Sequence, residues 1–571
     1  MMHISTFKQG LAAGFARHKL VLGVFALISV VTLLICFVPV ISNDDWEVIR
    51  SFAFGEMHWV NWADRRPLLL TDYKLIFSVF GLNIYVLYAI NILTLFLNSF
   101  LVYWIIQDLL LDHHYLAFAA GLVYMFYPAD YTRMWLMEVS THLLWLLTLV
   151  SMILLIDFAR KGHWPSLWIS LVLFTIMLGN YEAQLGMMSA WCFLLVAMFW
   201  RTSWKRRLAI LSPLLIAILF VIWRIKIQPA MHIFDPYFNE FTLSPTLLVA
   251  RVIQGFKVLF LSWTVPFLQF LKISHHRTRI LLLLLGLAVI LFALAAYGLT
   301  TFKSRNAFTH ITKKLKEKEI KQDLFLFLVG SGFVVAGYLP IISLYDPNLD
   351  GFQTRVNIFA IPGAVLMIVS ILNLGALFLA KDVQQLRAIV PAAAIPLLLV
   401  GMATQMLVQN ASRKTWDEQK ELWTQLIEIA PNFVDHTTVV FVLPGYTQLG
   451  FAENPPFVSP WEVNSGLKVL YNNPTLIGAY FYPDFTWRRT QLLENGIILH
   501  NESNLTVTPY HKAVFVQYNP QTHRLELVQQ LQEDFNLPFK TPDYAPDNNI
   551  TGAKLDISEY RYLLGSKAPS N

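Results

Sequence analysis

The sequence predicts a polytopic α-helical membrane protein that ends in a small soluble α/β or α+β domain. Of its 571 residues, 56% are hydrophobic and only 14% charged, a balance that belongs to membrane-embedded chains. Apolar runs long enough to cross a bilayer, which takes about 20 residues, recur through the first 409 positions. From Asn410 onward they give way to amphipathic and strand-like patterns. The boundaries are therefore 1–409 for the membrane part and 410–571 for the soluble domain.

Taken in order, the first span covers 20–41 and has no charged residue. The first loop, 42–81, begins with Asn43-Asp44-Asp45-Trp46-Glu47 and continues through Arg65-Arg66 into an interfacial stretch that mixes charge, Trp59 and Trp62. The second span, 82–106, carries Asn83, Asn91 and Asn98 near one face, a pattern for hydrogen bonds between helices. A short third span at 115–127 closes at Pro128, and the fourth covers 141–156. Runs at 167–178 and 185–200 flank Gly179-Asn180-Tyr181-Glu182, and 208–227 follows. Segment 228–279 holds an apolar stretch interrupted by Arg251, Gln254, Lys257 and Gln269, which suits a re-entrant or surface helix. Spans at 280–300, 324–342, 358–380 and 388–408 bring the count to about 11. In the soluble domain, 413–429 reads as an amphipathic helix, 439–443 as a buried strand, and 513–518 with 525–528 as a hairpin around Asn519-Pro520.

Basic residues set the orientation. With a cytoplasmic N-terminus, Arg160-Lys161, Arg201 to Arg207, Lys303 to Lys321 and Lys381 to Arg387 all fall inside, provided that 247–271 does not cross. The chain is then a multi-pass protein of the plasma (inner) membrane, with the first loop and the soluble domain sharing the extracytoplasmic face. The formal charge of +6 belongs to these short loops and does not call for nucleic acid. Two cysteines, Cys36 and Cys192, both within apolar runs, give neither a disulfide framework nor zinc spacing.

The outer face so defined collects Asp44, Asp45, Glu47, Arg65, Arg66, Asp130, Arg133, Glu138, His142, Tyr181, Glu182, Asp346, Asp350 and Arg355. Carboxylates can act as a general base, and arginines hold phosphate through a planar fork of donors. Both at a membrane surface suit a lipid-phosphate substrate. Each residue also has a plainer use. Acids at a span end cap and solvate it, Glu138 and His142 at i,i+4 form a helix-entry pair, and Arg355 at the head of a span snorkels to headgroups.

The layout resembles the GT-C superfamily of membrane glycosyltransferases, in its polyprenyl-phosphate-sugar-dependent branch of protein mannosyltransferases and aminoarabinose transferases. The likeness rests on Asp44-Asp45 after the first span, Arg65-Arg66-Pro67-Leu68, Gly121-Leu122-Val123-Tyr124 leading to Pro128, Gly337-Tyr338-Leu339-Pro340 before Arg355-Val356-Asn357, and a closing soluble domain. It implies a sugar taken from a polyprenyl phosphate in the outer leaflet and transferred with inversion to an envelope or cell-surface acceptor. Asp44 and Asp45 match the family's paired acids and are the catalytic candidates. Arg65, Arg66 and Arg355 are expected on the donor phosphate, and Glu138, Tyr181 and Glu182 on the substrate. The soluble domain carries no Trp-Trp-Asp motif and the first loop no Asp-x-Asp, so neither an oligosaccharyltransferase nor a metal-dependent site is indicated. No cofactor is implied; the partners are membrane lipids, the lipid-linked sugar and an acceptor of unspecified class. The competing reading is a transporter or flippase of a lipid-linked sugar, which needs a polar path through the spans, whereas most charges lie outside them. A protein whose outer domain alone works would need far fewer spans as an anchor.

Overall fold

The computed structural model describes residues 18–36, 39–41, 43–55, 68, 71–110, 113–136, 138–227, 244–266, 268–269, 313–342, 345–349, 351–380, 382–446, 453–483, 490–501, 504–531, 540–541, 543–551 and 561–564. The expected span at 280–300, Arg65, Arg66, Asp350 and most of the basic loop after Lys303 lie outside them. The membrane part is built from α1 (Lys19–Cys36), α2 (Asp44–Phe54), α3 (Thr71–Phe80), α4 (Ile84–Leu109), α5 (His114–Met125), α6 (Glu138–Lys161), α7 (Trp164–Asn180), α8 (Leu185–Met198), α9 (Trp204–Ile210), α10 (Ser212–Ile222), α11 (Pro245–Leu261), α12 (Lys313–Tyr338), α13 (Ile361–Leu379) and α14 (Val383–Ile429).

Among the described residues six helical segments are long and apolar enough to cross a membrane, against about 11 expected: Ile84–Leu109, Glu138–Lys161, Trp204–Ile227, Lys316–Tyr338, Ile361–Leu379 and Val383–Ile429. Of the other five, 280–300 lies outside the described residues, and the remaining four fall on shorter apolar helices. Helix α5 has 12 residues, about 18 Å at 1.5 Å per residue, too short to cross alone. Its side chains are buried among the surrounding helices, so it is a core element. Helices α7 and α8 have 17 and 14 residues and meet at the 3-10 turn Glu182–Gln184. Helix α11, the described part of segment 228–279, has 17 residues. Its polar groups are tied to one loop: the Arg251 guanidinium reaches the Ile342 carbonyl at 2.6 Å, and Gln254 donates to the Pro347 carbonyl at 2.7 Å.

The polar residues of α4 divide by role. Asn91 donates to the Arg133 carbonyl at 2.8 Å and Asn98 to the His142 carbonyl at 3.1 Å, the interhelical bonds expected of them. Asn83 instead caps α4, its Oδ1 accepting from the amides of Tyr85 and Val86.

The basic helix ends gather at one end of the bundle. Arg160 at the close of α6 pairs with Asp108 of α4 at 3.6 Å, His113 beside α5 lies 3.7 Å from Glu319 of α12, and Lys316 sits over the Phe378 ring of α13. The first turns of α4 and α6, with α2 and α3, lie at the other end, in one hydrophobic core with the C-terminal domain.

The largest departure from expectation is α14. The last span and the amphipathic helix are one continuous helix of 47 residues, about 70 Å long. Pro391 and Pro396 lie within it, and no Gly or Pro occurs between Met402 and Ile429 to end it. One end is buried in the bundle. The other carries Trp416, Leu422, Trp423 and Leu426 into the core of the outer domain.

That domain is α/β. Strand β1 (Asn432–Phe433) pairs with a late strand at the end of the domain. Strand β2 (Thr438–Val442) is followed by α15 (Pro460–Leu470), β3 (Ile477–Phe481), β4 (Thr490–Leu493), β5 (Gly496–Asn501), β6 (Asn504–Thr508), β7 (Ala513–Asn519), β8 (Arg524–Leu527) and β9 (Ile550–Thr551). The main sheet runs β3-β2-β7-β8, with β2 parallel to both neighbours and β7 antiparallel to β8, the expected hairpin. Strands β4-β5-β6 form a separate antiparallel sheet, and β1 pairs with β9. Helix α15 connects the parallel strands β2 and β3, and it is the element that meets the membrane part.

Candidate active site

The site lies where four loops and one domain converge at the end of the bundle. Asn43 precedes α2 with a φ of 49°, and the helix begins at once with Asp44, Asp45 and Glu47 in its first turn. Carboxylates there complement the positive end of the helix. Gly55, with a φ of 63°, ends the helix in the left-handed conformation that glycine adopts without strain.

The acids are not a wet helix end. Asp44, Asp45 and Glu47 are all buried, Asp45 with 1% of its surface exposed, and the C-terminal domain packs against them. They also do different things. Asp44 Oδ2 accepts from Arg355 Nη1 at 3.2 Å, and Asp44 Oδ1 accepts from the Trp461 indole at 2.6 Å. Asp45 is buried near enough to Tyr88 for its charge to act on that phenol, which bonds the backbone of Val40. Glu47 is held by Arg50 and by the Ser465 hydroxyl. Of the first-loop acids, Asp44 is the one bonded to Arg355.

Arg355 arrives from a 3-10 turn, Phe352–Asn357, just before α13 and not on a span. Gly351, with a φ of 75°, turns the chain into it. The turn is bolted down on both sides. Asn357 donates to the Ala129 carbonyl at 2.7 Å and accepts from the Tyr338 hydroxyl at 2.8 Å, while Thr354 Oγ1 accepts from the Tyr131 amide. Burial works against the charge of Arg355. Asp44, then Glu138, Tyr181 and Tyr345 outweigh it and hold the guanidinium pKa above its usual value. Those residues therefore face one cation: Asp44 from α2, Glu138 from α6, Tyr181 from the α7–α8 turn and Tyr345 from the loop after α12.

Of the residues expected in the site, Asp44 bonds Arg355, and Glu138 and Tyr181 lie within reach of the same guanidinium's charge. Glu182 turns elsewhere, 3.6 Å from Arg224. Glu138 does not pair with His142, whose ring nitrogen lies 3.2 Å from the Arg133 carbonyl. Glu138 Oε2 is buried and makes no hydrogen bond among the described residues, an open acceptor beside the cation. Tyr181 stacks at 5.9 Å on Phe359.

Asp130 and Arg133, both on the outer-face roll, are scaffolding. Asp130 Oδ1 receives the amide and hydroxyl of Thr132, and Arg133 donates to the carbonyls of Tyr124 and Met125 at the end of α5. Burial raises the Asp130 pKa, and the neighbouring Arg133 opposes the rise.

Sequence reasoning missed the contribution of the outer domain. Ser459 gives its hydroxyl to Asn43 Oδ1, and Glu462 accepts the Asn43 amide at 2.6 Å and Gln419 at 2.7 Å. Burial pushes the Glu462 carboxyl up to about 7 against these donors. The signal was present: Ser459-Pro460-Trp461-Glu462 has the spacing of a helix capping box with Pro in the first turn. Trp46 of α2 completes the joint. It packs between Trp416 and Trp423 of α14 at 6.0 and 6.2 Å.

Among the described residues no three His, Cys, Asp or Glu side chains converge on a point that could hold a metal ion. What the site offers is a carboxylate, a paired guanidinium, a second carboxyl with an open acceptor, and aromatic walls. No protein-family profile and no curated protein matches the chain, so the reading of this site rests on its geometry and chemistry.

Proposed function

We propose that the chain is a GT-C-like membrane glycosyltransferase that moves a sugar from a polyprenyl-phosphate donor to an acceptor hydroxyl. The observation that carries this reading is the Asp44–Arg355 pair, 3.2 Å apart between residues 311 positions distant, at the end of an apolar bundle. A general base and a phosphate clamp are the two groups such a transfer needs most.

In inverting transfer the acceptor oxygen attacks the anomeric carbon from the side opposite the phosphate. The new C–O bond forms as the bond to the phosphate oxygen breaks, and polyprenyl phosphate leaves with the bonding pair. Base and clamp must then lie on opposite sides of the sugar. Arg355 therefore exchanges Asp44 for the incoming phosphate, through the planar fork that matches phosphate oxygens. That exchange frees Asp44 Oδ2 to take the acceptor proton, so the base becomes available when donor is bound. Glu138, with its open acceptor, receives a sugar hydroxyl, and Tyr181 lines the ring. Asp45 supports the backbone of the loop through its neighbourhood with Tyr88. The bundle supplies the membrane anchor and the outer domain closes the site on the extracytoplasmic side.

Purified protein in detergent, given a polyprenyl-phosphate-linked radiolabelled sugar, should transfer label to a cell-envelope acceptor fraction, and Asp44→Asn should not. Tight binding of the donor without transfer, with lipid-linked sugar moved across vesicles instead, would favour the flippase reading.

A further inference from the structure

We propose that Trp461 of the outer domain is a positioning residue for Asp44, and that the outer domain is thereby part of the catalytic apparatus. This rests on Asp44 being the base. The Asp44 carboxylate has two oxygens and about four lone-pair directions. Arg355 occupies one on Oδ2 and the Trp461 indole N–H one on Oδ1, at 3.2 and 2.6 Å. When Arg355 turns to a donor phosphate, the indole is the contact that stays on Asp44. An aspartate with one rotatable bond free beyond Cβ would otherwise swing. An indole N–H is donor only, so it holds the carboxylate without competing for the acceptor's proton.

The indole is itself held in place. Trp461 stands at the start of α15, between two anchors on the residue next to Asp44. Ser459 takes Asn43 Oδ1, and Glu462 takes the Asn43 amide. In an ordinary capping box those two side chains serve their own helix. Glu462 does so in part, its Oε2 accepting the Val458 amide at 2.8 Å, but Ser459 makes no bond to the amides of its own helix, and both side chains also reach Asn43 across the domain boundary. One turn further along α15, Ser465 reaches Glu47. Behind the anchors, Gly466 permits the approach: a Cβ there would stand 2.9 Å from the Trp423 ring and 3.4 Å from that of Trp46. The helix that carries the donor and the helix that carries the base are thus locked at four points, and the orientation of Asp44 is set from outside the bundle.

The test uses the full chain in detergent and Trp461→Phe, which keeps the ring and removes the N–H. With a polyprenyl-phosphate-linked sugar as probe, kcat should fall about 10- to 100-fold, the scale of a misplaced catalytic group. Donor Kd and acceptor KM should stay within about twofold. Trp461→His, which retains a ring N–H, should recover part of kcat. A merely structural Trp461 would lower thermal stability and yield while the folded fraction kept its kcat, and that result overturns the proposal. A second arm needs no activity. The thermal midpoints of Trp461→Phe, Asp44→Asn and the double variant, measured without substrate, should be non-additive; additive shifts overturn the contact. If wild-type protein transfers no sugar while the midpoints remain non-additive, it is the glycosyltransferase reading that fails and not the contact.

Discussion

The Asp44–Arg355 pair makes a prediction about charge that can be worked from its surroundings. Two unit charges about 4 Å apart interact by roughly 4 kcal/mol at an effective dielectric of 20. The Asp44 side chain is 10% exposed and that of Arg355 28%, so the pair is neither fully buried nor a surface pair. Exposed pairs are worth about 0–1 kcal/mol, and removal of one partner from a buried pair costs about 3–5 kcal/mol. A coupling of about 1–3 kcal/mol follows. The two single substitutions should not be equal. Asp44→Asn leaves Arg355 with Glu138 still facing it, a neutral set of one cation and one carboxyl. Arg355→Gln leaves Asp44 and Glu138 crowded together with no cation between them. Arg355→Gln should therefore destabilise more than Asp44→Asn, and the double variant should be destabilised by less than the sum of the two. Thermal unfolding in detergent, at low and at high salt, gives the ranking. Equal or inverted single effects, or a double variant additive within about 0.5 kcal/mol, would refute the electrostatic account of the site.

Other outcomes follow from the same geometry. Asp44→Asn should lower turnover about 10²–10⁴-fold with donor binding retained, and Asp45→Asn should cost less because Asp44 is the acid bonded to Arg355; turnover and donor affinity of both variants decide it. Arg355→Lys keeps the charge but loses the fork, so donor affinity should fall by more than a lost surface charge explains, and an unchanged affinity would assign Arg355 to headgroups. Glu462 has its carboxyl pushed from 4.5 to about 7 by burial, so the folded state binds its proton more tightly. That contribution is present below about pH 4.5 and lost as pH rises through about 7, up to about 3 kcal/mol in all. The wild-type thermal midpoint should fall across that window and the Glu462→Gln profile should be flatter; parallel profiles would exclude it. Gly401 of α14 lies against α5, and a Cβ there would be 1.9 Å from the Phe126 carbonyl oxygen. Gly401→Ala should destabilise by about 3 kcal/mol or more, read as lost folded yield, and normal yield and midpoint would contradict the packing.

How much of this was legible follows from range. The long helices α4, α6 and α13 announce themselves, because each is a run of apolar residues with polar ends. Strand β2 and the β7–β8 hairpin do so through Val439 to Val442 and Asn519-Pro520. The β4–β5 turn was not anticipated: Glu494-Asn495, before Gly496 with a φ of 145°, closes the Leu493–Gly496 pair. The continuity of α14 was hidden by composition. Polarity changes at Asn410, which suggests a break, but nothing after Met402 interrupts a helix, and backbone continuity outlasts the change of solvent. The prolines sit earlier, where neighbouring helices and the apolar medium tolerate them. The site was legible only as a roll of candidates. Asp44 could be singled out, but its partners Arg355 and Trp461 lie 311 and 417 positions away, and no local pattern encodes such pairings.

The joint also explains why the site is built from parts so distant in sequence. A base fixed only to the end of a span would move with the loop that follows it. Here α2 is gripped on its inner side by the Trp46–Trp416–Trp423 cluster and on its outer side by α15. Trp416 and Trp423 belong to α14, whose other half is a span, so the grip is referred back to the bundle through one unbroken helix. Arg355 is referred to the same frame through Asn357 and Ala129, and Gln405 of α14 donates to the adjacent Asp130 carbonyl at 3.0 Å. Asp44 and Arg355 are therefore both measured against α14. Within that frame the contact free to change is the one between Asp44 and Arg355, and it is the contact that the proposed exchange with a donor phosphate uses.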